Sequence, residues 1–85
     1  MPQHSDPSGK VVVGEVATHP GWIGRPVSWI ENCIGARVAY LSRLGDGMLP
    51  TSETVFQDSD VLNVLCEKTD LPRIERLLES APPLD

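Results

Sequence analysis

Turn signals punctuate this chain so closely that no long helix fits between them. His19-Pro20-Gly21, Gly35, Gly45-Asp46-Gly47, Pro50 and Gln57-Asp58-Ser59-Asp60 all carry residues that break regular structure or favour tight turns. No apolar stretch approaches the ~20 residues that a membrane span requires, so no membrane insertion is expected. The pieces between the breaks suit short strands and helices of one small domain. With 85 residues, such a domain buries only about 60% of the surface its unfolded chain exposes. Modest stability is expected, and self-association is a common remedy. Two Trp, one Tyr and one Phe leave a core expected to be built from Val, Ile and Leu.

Met1 to Lys10 (MPQHSDPSGK) is polar and Pro/Gly-containing, and reads as a flexible leader. The domain is expected over residues 11–80, with residues 81–85 a Pro-terminated tail. Val11 to Thr18 is valine-rich and strand-forming. Pro26 suits the first position of a helix; Val27, Ile30 and Ile34 then share one face, and Gly35 suits a left-handed C-cap. Arg37 to Leu44 reads as a strand, followed by a tight turn at Gly45-Asp46-Gly47. Brief strands are expected at Met48–Pro50 and Thr54–Phe56. Val61 to Glu67 (VLNVLCE) is the most apolar strand and the expected centre of the sheet. Thr69-Asp70 offers an N-cap for a final helix whose Leu71, Ile74, Leu77 and Leu78 share one face. The expected fold is α+β: two helices on a small, mostly antiparallel sheet in the order β-α-β-β-β-β-α.

Chemistry for an enzyme is absent from this pattern. The formal charge of −5, from 12 acidic and 7 basic residues, disfavours direct nucleic-acid binding. Cys33 and Cys66 sit in apolar surroundings and read as free thiols of a cytoplasmic protein, since the first ten residues lack the apolar run of a secretory signal. Burial would raise the Cys66 pKa and make it a poor nucleophile. Neither CxxC nor HxxxH occurs, so no metal site is expected; Asp58 and Asp60 read as a solvated turn. No catalytic residue and no cofactor is assigned. Trp22-Ile23 reads as half-buried packing.

Arg37 and Arg43 stand six apart on one expected strand, and two-residue alternation would project both from one face. Such a pair could hold an anion or a nucleotide phosphate, or form surface pairs with Glu53 or Glu31.

The ordered set of segments resembles the C-terminal domain of RCK/TrkA-type regulators of potassium channels and transporters. The resemblance runs from about Lys10 to Ser80. It is carried by Glu15-Val16, by Trp22-Ile23-Gly24-Arg25-Pro26-Val27, by the stretch from Ile34-Gly35-Ala36-Arg37 to Leu44-Gly45, by Met48-Leu49-Pro50-Thr51, and by Thr54 to Val64. Ser59 stands where the family has Gly, which predicts a turn less strained or differently shaped. The resemblance implies a non-enzymatic, homodimeric, ligand-sensing regulatory domain of a potassium uptake system, partnered with a membrane transporter or channel subunit. Some family members bind cyclic di-AMP in a cleft between protomers. The positions matching that cleft are Ile23, Arg37, Val38 and Pro50. Those members commonly carry an Asn near the Arg37 position and a basic residue on the preceding helix, where this chain has Glu31. A structural dimerisation module without a ligand is the alternative. The nucleotide-binding Rossmann half of such regulators has no counterpart here, because no GxGxxG follows a strand.

Overall fold

The computed structural model describes the backbone of residues 2–5 and the whole of residues 8–83. Among them are five strands and two helices: β1 (Pro2–Ser5), β2 (Val11–Val16), α1 (Val27–Ile34), β3 (Arg37–Arg43), β4 (Asp46–Met48), β5 (Val61–Glu67) and α2 (Leu71–Glu79). Single 3-10 turns lie at Pro20–Trp22 and Lys68–Asp70. The strands form one sheet in the order β1-β2-β5-β3-β4, with every neighbouring pair antiparallel. The α+β class holds, and β5 is central, as its apolar run requires.

The element order differs at two places. The stretch read as a leader contains β1, which pairs with β2. Thr54–Phe56 joins no sheet ladder and contributes only a bridge between Val55 and Pro26. Its main-chain groups are taken up elsewhere. Gly24 N–H donates to Phe56 O at 2.7 Å, Phe56 N–H to Arg25 O at 3.0 Å, and Val27 N–H to Thr54 O at 2.9 Å. A segment whose donors and acceptors are satisfied by the entry to α1 gains nothing from a strand partner. The observed order is therefore β-β-α-β-β-β-α.

Local sequence accounts for most boundaries. Gly35 ends α1 with φ of 66°, the left-handed conformation that costs glycine nothing, and its N–H closes on Glu31 O. The turn between β3 and β4 is centred one residue earlier than expected. Arg43 pairs with Asp46, so Leu44 and Gly45 form the two-residue connection, with φ of 52° and 86°. Both central residues must take positive φ there to match the strand twist. Asp70 precedes α2 but gives no side-chain cap. Its carboxylate instead accepts from Arg73 Nε and Nη2, both at 2.7 Å. Arg73 Nη2 also donates to Ile34 O at 2.8 Å, satisfying a carbonyl at the end of α1 and tying the two helices together.

Both helices lie on one face of the sheet. Val27, Ile30 and Ile34 of α1, with Ile74 and Leu78 of α2, pack on Val16, Val38, Leu41, Leu62 and Val64. Gly14 of β2 permits this approach, since a Cβ there would stand 3.0 Å from Leu71 Cδ1. The core is not purely aliphatic: Trp22 and Phe56 are its largest fully buried side chains. Trp22 is buried beyond what was expected because its indole Nε1–H finds Ser80 O at 2.8 Å. Among the described residues no helix covers the opposite face, where Val11 and Leu65 remain 37% and 38% exposed.

A one-residue bulge decides which way β3 points its side chains. Val38 pairs with Val64 and Tyr40 with Asn63, leaving Ala39 as the extra residue. A bulge inserts a residue on one strand and reverses the alternation beyond it. Val38 and Leu41, three apart, are therefore both buried against the helices. Arg37 and Arg43 consequently lie on opposite faces, contrary to the same-face expectation.

Candidate functional site

β4 pairs with Leu41 to Arg43 alone, so among the described residues the first half of β3 has no strand on its outer side. Along that free edge runs a groove of about 380 Å3. Its walls are the first turns of α1 (Val27, Ser28, Glu31), the start of β3 (Arg37, Val38, Ala39) and the loop from Leu49 to Ser52. Glu31 stands on the turn of α1 after Val27, and its Oε2 accepts the Val38 N–H at 2.8 Å. That bond satisfies an edge amide which would otherwise face the groove unpaired. The other carboxylate oxygen makes no hydrogen bond among the described residues.

Arg37 is exposed, and its side chain makes neither a hydrogen bond nor an ion pair among the described residues. The surface pair with Glu31 or Glu53 considered from sequence is not formed. Leu49 is 77% exposed and, with the half-buried Pro50, gives the groove an apolar lip. Ser28, Thr51 and Ser52 add hydroxyls. The Thr51 hydroxyl also helps shape the loop, accepting the Glu53 N–H at 3.3 Å, while the Thr51 N–H donates to Thr54 Oγ1 at 2.8 Å. The groove thus combines a guanidinium, a carboxylate and a small apolar surface.

Three of the four sequence-derived positions, Arg37, Val38 and Pro50, come together in this groove. Ile23 does not line it; it follows the Pro20–Trp22 turn and is 40% exposed. Glu31 joins them. It was considered only as a surface partner for arginine, and its spacing of four from Val27 is the signal that places it on the same helix side.

Arg43 belongs to a different structure. Its Nε donates to Asp60 Oδ1 at 2.8 Å and its Nη2 to Oδ2 at 2.7 Å, a two-pronged pair. Asp60 also accepts the Gln57 N–H at 2.9 Å, and Arg43 Nη2 reaches Val55 O at 3.3 Å. Asp60 is therefore buried inside the turn and not solvated as expected. The guanidinium bond holds its carboxyl below the usual range, against the opposing effect of burial. Ser59 at this turn has φ of 73°, a left-handed geometry that Gly would adopt freely. The turn is therefore strained, not relaxed.

The two cysteines are free and half-buried. Burial, reinforced by Asp70, pushes the Cys66 thiol upward, away from nucleophilic use. Among the described residues no cluster of three or more His, Cys, Asp or Glu side chains could hold a metal ion. No helix among them is long and apolar enough to cross a membrane.

The sequence and the fold have parallels among known proteins. The chain is 35% identical over 81 residues to a Trk system potassium uptake protein TrkA of Streptomyces coelicolor, an alignment covering 95% of this chain and 36% of that protein. In fold it matches a segment of a solved structure of the GsuK channel bound to NAD, with a TM-score of 0.67 and 22% identity, over 91% of this chain and 15% of that one. No family model matches. The chain therefore spans about a third of the curated relative. The resemblance to the C-terminal domain of RCK/TrkA-type regulators is carried by sequence and fold together.

Proposed function

We propose that this chain is a ligand-sensing, dimer-forming regulatory domain of a potassium uptake system, working in the cytoplasm on a membrane transporter or channel subunit and without enzymatic activity. The domain unit is residues 11–80 with β1 added at its edge. The observation that carries the reading is the groove at the free half of β3, where Arg37 stands without a partner among the described residues. An exposed guanidinium beside hydroxyls and an apolar lip suits a small anion or nucleotide. Likeness to a potassium uptake protein supports the transport setting. Ile23, exposed and outside the groove of one copy, reads as a contact contributed across a dimer.

A ligand bound there controls a transporter only by binding one arrangement of the domain better than another. The testing experiment is thermal melting of the full chain with adenine and guanine nucleotides, cyclic dinucleotides and inorganic phosphate, beside its mass in solution. The expected result is a dimer whose melting temperature rises with at least one nucleotide, and whose rise disappears in Arg37→Ala while the dimer persists. A strictly monomeric chain, or one insensitive to every anion, would refute the reading.

A second reading is a dimerisation module without a ligand. It is favoured by the helix-free sheet face, where Val11 and Leu65 present apolar surface. A stable dimer with no ligand response would select it.

A further inference from the structure

The groove holds a carboxylate as well as a guanidinium, and that combination restricts what can occupy it. A bare anion drawn to Arg37 is repelled by Glu31, which lines the same groove. Among the described residues no arginine neutralises Glu31, whose carboxylate accepts only the Val38 N–H, at Oε2. A carboxylate only accepts hydrogen bonds, and its two oxygens have about four acceptor sites. One is used, and the rest remain for a ligand that brings N–H donors. The occupant must therefore carry an anionic group for Arg37 and adjacent donors for Glu31.

We infer that the groove is selective for guanine nucleotides over adenine nucleotides, with Glu31 as the specificity-determining residue. This rests on the ligand-sensing reading above. The Watson–Crick edge of guanine offers two neighbouring donors, N1–H and the exocyclic amine, which a carboxylate accepts together. Adenine places the acceptor N1 beside its amine, so the same carboxylate meets a lone pair and is repelled. A volume of about 380 Å3 falls within the range typical of small-molecule sites. Leu49 and Pro50 supply an apolar surface for one face of the base, and Arg37 takes the phosphate.

The test is calorimetric titration of the full chain with GMP, AMP and inorganic phosphate, for the wild type, Glu31→Gln and Arg37→Ala. The glutamine carbonyl can still accept the Val38 N–H, so the fold is retained, but its amine replaces the free acceptor. GMP should bind the wild type at least tenfold more tightly than AMP and more tightly than phosphate. Glu31→Gln should remove that tenfold preference, and Arg37→Ala should weaken all three probes. Equal binding of GMP and AMP to the wild type, or an unchanged ratio in Glu31→Gln, would overturn the inference while Arg37-dependent binding kept the sensing reading. Absence of binding by any probe at millimolar concentration would overturn both.

Discussion

Arg37 and Arg43 sit six residues apart on one strand and have opposite fates. Arg43 lies past the bulge, on the helix side of the sheet, where the buried Asp60 meets it with both oxygens. Arg37 lies before the bulge, at an unpaired strand edge, with no partner among the described residues. The same side chain serves as an internal brace in one place and as an open cation in the other. Residue type does not separate them; the register does. A brace should matter to folding and little to ligands, and an open cation should do the reverse.

The largest effect is therefore expected from breaking the brace. Asp60→Ala leaves a partly enclosed guanidinium without its carboxylate and opens the turn at Gln57, so melting should fall by roughly 10 °C or more. Arg37→Ala should change melting by less than about 3 °C, since the residue satisfies nothing inside the fold. Comparable losses in both variants would break the contrast, and thermal denaturation of the two proteins decides it.

Acid gives the same comparison without mutation. The Asp60 carboxyl has its pKa depressed by Arg43, so its contribution is complete above the unfolded carboxyl pKa of about 4 and is lost as the pH falls through its lower folded value. Denaturant titrations from pH 6 down to pH 2 should show a loss in the native chain that is reduced in Asp60→Asn. Cys66 works in the opposite sense. Its thiol pKa is raised by burial, so its contribution is intact below the unfolded thiol pKa of about 8.5 and falls as the pH rises through the folded value. A shallower alkaline decline in Cys66→Ser is the expected outcome.

The smallest effects should be gains at the two strained turns. Leu44 is 87% exposed with φ of 52°, a conformation that costs non-glycine residues about 1 kcal/mol. Leu44→Asn should relieve part of that and lift melting by about 2–5 °C. Ser59→Gly should act in the same direction at φ of 73°, less so because the new glycine also loosens the unfolded chain.

Much of this architecture was legible along the chain. Pro26, the Val27-Ile30-Ile34 stripe and Gly35 mark α1 almost to the residue. The apolar content of Val61–Glu67 marks the central strand, and Leu71, Ile74 and Leu78 mark α2. These signals are local: backbone preference, side-chain period and the tolerance of glycine for positive φ act within a few residues. Thr54–Phe56 was misread because its β-branched composition suits a strand, while the hydrogen bonds it makes depend on the distant Gly24–Val27 segment. Trp22 was read as half-buried because the acceptor for its indole, Ser80 O, lies 58 residues away in the chain.

Sequence by itself determined that this would be a small α+β domain with a helix-capped sheet, and it brought Arg37, Val38 and Pro50 to notice. Tertiary structure alone decided that Ala39 bulges, that Arg43 turns inward to Asp60, and that Glu31 rather than a strand covers the edge amide of Val38. The reason is physical. Period and propensity fix which residues can be buried, whereas strand register is a choice among pairings that differ by one residue, made by whichever packing satisfies the most distant groups at once.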